Sequence, residues 1–136
     1  MKRNFKNILS ILLRKKQQLS QKQAKAHGFI TWLMFANPGM LDNGNIYCFE
    51  YAIEHLPSNS PIVEIGSFCG LSTNLISFYL RKNNKSNKLI TCDKWIFETA
   101  DLNSTIGQSE ISQTNYREFV KDSFMEQVKN GTPTID

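Results

Sequence analysis

Two carboxylates stand where this chain could do chemistry. Glu64 lies two residues before Gly66 in the stretch Pro61-Ile-Val-Glu-Ile-Gly-Ser-Phe-Cys-Gly-Leu-Ser-Thr73, and Asp93 follows the run Leu89-Ile-Thr-Cys92. Such acids accept hydrogen bonds from hydroxyl, ammonium or amide groups. Gly66 and Gly70 punctuate the segment between them, and Ser67, Ser72 and Thr73 add hydroxyls. The other reactive types are scattered. Cys48, Cys69 and Cys92 have no C-x-x-C spacing, and neither His27 nor His55 has a Cys or His neighbour at ligand spacing, so no metal site is read. Cys69 and Cys92 read as small packing residues rather than reactive thiols.

These residues need a strand, a turn and a helix to bring them together. Ile62, Val63 and Ile65 read as a short buried strand, about 61–66. Residues 66–70 form a glycine turn. A helix then runs from about Ser72 to Lys82, with Leu75, Phe78 and Tyr79 inward and Arg81 and Lys82 at its C-terminal end, where positive charge is favoured. A second strand, about 88–93, ends in Asp93, twenty-three residues after Gly70. The expected unit is β-α-β, which is parallel and right-handed in nearly all proteins. Its layout gathers backbone N–H groups and a helix N-terminus around a small ligand.

Three ligand chemistries compete for such a turn. A phosphate-cradling P-loop needs G-x-x-x-x-G-K-[S/T]; here Gly70 is followed by Leu71-Ser72, so the lysine is missing and the glycine spacing is wrong. A dinucleotide fingerprint needs G-x-G-x-x-G, but counting from Gly66 those positions hold Phe68 and Leu71. The third is S-adenosyl-L-methionine (SAM), which has no phosphate and so does not need a turn stripped to glycine. A carboxylate ending the next strand can accept its two ribose hydroxyls, and Asp93 is placed for that. Glu64 sits at the C-terminal end of the first strand, where ligands of open α/β sheets bind. Plainer roles stay open: Glu64 as an N-cap-like or lysine-paired acid, Asp93 as a cap of the turn after its strand.

Val63-Glu-Ile-Gly-Ser-Phe-Cys-Gly-Leu-Ser-Thr73 followed by Leu89-Ile-Thr-Cys-Asp-Lys-Trp95 resembles the class I SAM-dependent methyltransferases, in the branch with E-I-G-S-x-x-G-x-S-T and Asp-x-Trp. The resemblance covers about residues 45–98. It implies that Glu64, Gly66, Ser67 and Gly70 surround the methionine part of SAM and that Asp93 holds the ribose. It also places Phe68, Cys69, Ser72 and Thr73 along the turn and helix start, with Lys94 and Trp95 beside the acid. The implied fold class is α/β, the N-terminal part of a Rossmann-like sheet with flanking helices. The family has a seven-stranded sheet, so the chain is read as C-terminally truncated. The implied activity is methyl transfer to a small molecule or glycan, by an enzyme or an incomplete or inactive remnant of one. No catalytic base can be named.

The remaining sequence frames this unit. The chain has 136 residues and a net charge of +4, with 40% hydrophobic and 21% charged residues, as in one small globular domain. Residues 1–25 hold eight basic residues and no acid, while the rest holds eight basic and twelve acidic residues. The basic balance therefore describes the N-terminal segment, and nucleic-acid binding by the whole chain does not follow from it. Residues 1–28 read as a basic amphipathic helical segment, with Phe5, Ile8, Leu9, Leu12 and Leu13 on one face; residues 29–136 read as the partial α/β domain. The alternative function rests on that segment: a non-catalytic interaction protein contacting anionic lipid, RNA or a partner protein, with at most weak membrane-surface contact through residues 1–25. The apolar block 29–35 reads as core packing; a homo-oligomer is a further expectation, through that block or an exposed sheet edge.

No apolar run reaches the ~20 residues of a membrane span. No secretory signal is convincing, and three cysteines without a paired spacing fit reduced thiols in a cytoplasmic protein. Asp42 or Asn43 caps a helix to about Leu56, with Ile46, Phe49, Ala52, Ile53 and Leu56 as its apolar face. Residues 94–112 read as an irregular loop. A last helix spans about Gln113 to Lys129, with Tyr116, Phe119, Val120, Phe124 and Val128 inward, stopped by Gly131 and followed by the start of a strand at Thr132.

Overall fold

Asp42 opens the first well-defined helix by reciprocal hydrogen bonds. Its carboxylate accepts from Asn45 N–H at 2.9 Å, while Asn45 Oδ1 accepts from Asp42 N–H at 3.0 Å. The computed structural model describes residue 14, residues 27–96, residue 101 and residues 103–130. The basic face expected over residues 2–26 lies outside these, Arg14 apart, as do Gly131 and the strand expected from Thr132. The chain divides into two units, Met1–Trp32 and Leu33–Asp136. In the first, residues 27–32 are helical, Thr31 Oγ1 donates to the His27 carbonyl at 2.9 Å, and the Phe29 and Trp32 rings lie 5.8 Å apart.

The second unit is α/β. Helical residues continue to 36 (α1, residues 27–36). There follow α2 (Asn43–Glu54), β1 (Ile62–Ile65), α3 (Leu71–Lys82), β2 (Leu89–Cys92) and α4 (Gln113–Asn130). β1 and β2 pair in parallel, with Ile62 opposite Leu89, Val63 opposite Ile90, Glu64 opposite Thr91 and Ile65 opposite Cys92. The expected β-α-β unit is present, and α3 is its connection.

The core sits on one side of this small sheet. α3 supplies most of it: Leu71, Leu75, Ile76, Phe78, Tyr79 and Leu80 are buried, joined by Leu33, Ile53, Val120 and Phe124 from the other helices. Lys82 Nζ meets Glu50 Oε1 at 2.6 Å between α3 and α2, a half-exposed pair worth little by itself. None of the described helices is long and apolar enough to cross a membrane.

Four expectations need correcting. First, β1 is not a strand whose apolar residues are buried. Val63 is 60% exposed and Ile65 84%, while Glu64 is only 9% exposed. Alternate side chains point to opposite faces, and α3 covers the face of Ile62 and Glu64. Among the described residues nothing covers the face of Val63, Ile65, Ile90 and Cys92. One edge of β1 is bare as well. The Ile62 and Gly66 N–H groups donate to the Lys88 and Cys92 carbonyls at 2.8 and 2.9 Å, so the main chain of Val63 and Ile65 points away from β2.

Second, the block 29–35 is not uniformly core. Leu33 is buried but Phe35 is 88% exposed. In a helix, residues two apart point about 200° apart, so a run of apolar types cannot all face inward. Third, Phe119 is 59% exposed, whereas Val120 and Phe124 are buried. The inward stripe of α4 runs through residues 120, 124 and 128, and Phe119 lies beside it, its ring 6.4 Å from that of Tyr116. Fourth, residues 103–112 are more ordered than an irregular loop. Thr105 and Ser112 form an antiparallel bridge, Ile106 N–H donates to the Ile111 carbonyl at 2.9 Å, and Ser112 Oγ caps α4 by accepting from Asn115 N–H at 3.1 Å.

Candidate functional site

The turn between β1 and α3 is left-handed at three of its five residues. Gly66 has φ +85°, Phe68 +48° and Gly70 +91°. Glycine adopts such angles without strain. At Gly70 a second reason operates: a Cβ there would lie 2.9 Å from Val128 Cγ2 and 3.2 Å from Phe124 Cδ2, so α4 packs directly on the turn. At Gly66 a Cβ would meet nothing within 4 Å, and the end of β1 stands open on that side. The turn closes on itself through Gly70 N–H to the Ser67 carbonyl at 2.8 Å.

Phe68 is not a glycine, so its conformation must be held from outside. Its N–H donates to Asp93 Oδ2 at 2.7 Å, and its carbonyl accepts from the Trp95 indole Nε1 at 3.1 Å. Asp93 Oδ1 accepts from Trp95 N–H at 2.6 Å. The Asp93-Lys94-Trp95 segment thus forms a turn of its own, with Trp95 at φ +49°, and grips the glycine turn at both polar groups of Phe68. The Trp95 ring lies 5.6 Å from that of Phe124, which anchors it to α4. Lys94 is exposed.

Glu64 faces inward under the turn. One carboxylate oxygen accepts from the Ser72 hydroxyl and the other from Thr73 Oγ1 at 2.5 Å. A negative group at the first turn of α3 is favoured by the helix dipole, and the Gly70 N-cap provides no side chain for that role. Both donors are side-chain hydroxyls rather than backbone N–H groups, and no lysine pairs with Glu64 in the described residues. Ser67 is 2% exposed and its hydroxyl has no partner among the described residues. Cys69 is buried too, and burial pushes its thiol pKa up, with the Asp93 charge adding to the rise. Cys92 is exposed, its Sγ 3.4 Å from the Glu64 carbonyl. No described group of His, Cys, Asp and Glu has the makings of a metal site.

The residues singled out in the sequence are therefore brought together. Glu64, the turn, the start of α3 and Asp93 with Trp95 meet at the C-terminal ends of β1 and β2. Two contributors were not foreseen. Asn37, at the end of α1, donates from Nδ2 to the Cys69 carbonyl at 2.8 Å. Asn74, in the second turn of α3, donates to Asn37 Oδ1 at 2.8 Å and to the Gln127 carbonyl at 3.1 Å. The only sequence signal was a polar residue within each apolar pattern. Beside the turn an apolar groove of about 400 Å³ runs along the bare edge of β1, walled by Phe49 and Ile53 of α2 and by Leu56 just after it, and reaching Gly66 and Ser72.

Comparison with family models, with curated proteins and with solved structures gave no match. The geometry itself therefore bears the functional reading. Asp93 uses one lone pair of each oxygen on a backbone donor, and each oxygen keeps capacity for another hydrogen bond. A ligand with vicinal hydroxyls fits this carboxylate. The open side of Gly66 leaves room for a ligand at the end of β1. Glu64 likewise takes one hydrogen bond on each oxygen, from the Ser72 and Thr73 hydroxyls, and so fixes two side chains at the start of α3.

Proposed function

We propose that the chain carries the SAM-binding part of an α/β, Rossmann-like SAM-dependent methyltransferase acting on a small molecule or glycan. The observation that carries this reading is the bond from Phe68 N–H to Asp93. It makes the glycine turn after β1 and the acid after β2 one unit, so a ribose held by Asp93 lies against the turn. The turn, with Gly66 open and the N-terminus of α3 beyond it, then borders the amino-acid part of the ligand. Bound SAM would supply an electrophilic methyl group on a sulfonium for the acceptor's lone pair. The residues of the turn and Asp93 bind and orient; alignment is the larger part of such a transfer.

Calorimetry with S-adenosylhomocysteine, the demethylated product, tests the reading. Saturable binding that disappears in Asp93→Ala is the expected result. Absence of heat at millimolar ligand, in protein shown to be folded, would reject it.

A further inference from the structure

We propose that Asn37 is a positioning residue for the glycine turn, acting from outside the motif through the Cys69 carbonyl. The side chain is 1% exposed. Its Nδ2 donates to Cys69 O and its Oδ1 accepts from Asn74 Nδ2, both at 2.8 Å. That pair of partners fixes the amide's orientation: turned over, it would set its oxygen against a carbonyl and its NH2 against another NH2. The base of Asn37 is fixed too, since its main-chain N–H donates to the Leu33 carbonyl at 2.9 Å.

The grip matters because Gly70 comes directly after Cys69. The Cys69 carbonyl and the Gly70 N–H belong to one peptide plane. Gly70 lacks the Cβ that would restrict rotation of that plane. With the carbonyl held by Asn37, the N–H points the opposite way and closes on Ser67 O at 2.8 Å. The turn is thus clamped at two places, by Asp93 at Phe68 N–H and by Asn37 at Cys69 O. Without Asn37 the Cys69 carbonyl would be buried and unpaired, and rotating the peptide would relieve it while opening the turn. Asn37 thereby presents the N-terminus of α3 to a ligand already shaped.

The consequence for ligand binding rests on the SAM reading above; the clamp itself does not. The test is amide hydrogen exchange on the full chain without ligand, reading Phe68 and Gly70 against Ile53, buried in α2. Asn37→Leu keeps the volume and removes the donor, and Asn37→Ser keeps a hydroxyl too short to reach. Gln127→Ala is the control: it removes the 3.3 Å bond from Gln127 Nε2 to the Ala36 carbonyl and leaves Asn37 on Cys69. Either Asn37 variant should speed exchange at Phe68 and Gly70 by about tenfold relative to Ile53, as expected for loss of one hydrogen bond. Gln127→Ala should leave that ratio unchanged. An unchanged ratio in both Asn37 variants, or an equal change in Gln127→Ala, would overturn the proposal. S-adenosylhomocysteine affinity should fall by a similar factor in the Asn37 variants. If the wild-type chain takes up none, the functional reading fails while the exchange ratio still decides the role of Asn37.

Discussion

The backbone N–H of Phe68 donates to Asp93 Oδ2 at 2.7 Å, tying the turn after β1 to the end of β2 across 25 residues of chain. Phe68 holds a left-handed backbone that its side chain disfavours, and this bond helps keep it there. The same carboxylate takes Trp95 N–H on its other oxygen. Asp93→Ala should therefore lower stability by about 1–3 kcal/mol, since two part-buried donors lose their acceptor. Asp93→Asn, which keeps one acceptor oxygen, should cost less. Urea unfolding of the two variants checks the order, and calorimetry with S-adenosylhomocysteine should find no binding in the alanine variant.

The parity of β1 gives an opposite pair of outcomes. Val63→Lys and Ile65→Lys change exposed positions and should each shift stability by no more than about 0.5 kcal/mol. Glu64→Ala strands the hydroxyls of Ser72 and Thr73 and should cost about 1–3 kcal/mol. Denaturant midpoints for the three variants decide it. If the lysine variants proved the more disruptive, the assignment of strand faces would be wrong.

The two turn glycines should differ. At Gly66 an added Cβ has open space, so Gly66→Ala carries only the strain of a positive φ, about 1–2 kcal/mol. At Gly70 the same strain is joined by contacts of 2.9 and 3.2 Å with Val128 and Phe124. Gly70→Ala should lose clearly more stability than Gly66→Ala, and Val128→Ala should recover part of the difference in a double-mutant cycle.

Tyr79 sets an alkaline limit. It is wholly buried, its hydroxyl has no partner among the described residues, and burial, with the charge of Glu50, pushes its pKa up to about 12. The unfolded phenol ionises near its ordinary value of about 10. Between those values the unfolded chain binds fewer protons than the folded one, so stability falls as pH rises. Its contribution is intact below about pH 10 and lost on approach to about 12. Tyr79→Phe removes a buried hydroxyl that has no such partner and should flatten that slope while changing stability little at about pH 8. Urea midpoints at about pH 8 and about pH 11, either side of the unfolded pKa, make the comparison.

The helices α2, α3 and α4 and the order of strand, helix and strand were legible because they depend on near neighbours, whereas the apolar block 29–35 did not reveal itself as part of a helix. Asp42 as a helix cap, the apolar spacing of α3 and the glycines of the turn are local signals, and each appears within a residue or two of its expected place. The position of Asp93 at the end of β2 follows from the same short-range pattern. Phe35 and Phe119 misled because apolar type alone does not say which way a helical side chain points.

What the sequence by itself determined is the strand–turn–helix–strand unit and the residues gathered at its open end. Glycine's access to positive φ and the periods of helix and strand are properties of the chain, whatever surrounds it. The tertiary structure alone decided which face of β1 is covered, because Ile62, Val63 and Ile65 carry apolar groups to both faces and only the placement of α3 over Glu64 separates them. It alone showed that Glu64 binds Ser72 and Thr73. It alone brought Asn37 to Cys69, 32 residues apart in sequence. A hydrogen bond at that separation depends on how α1 and α3 pack, and no local periodicity encodes that packing.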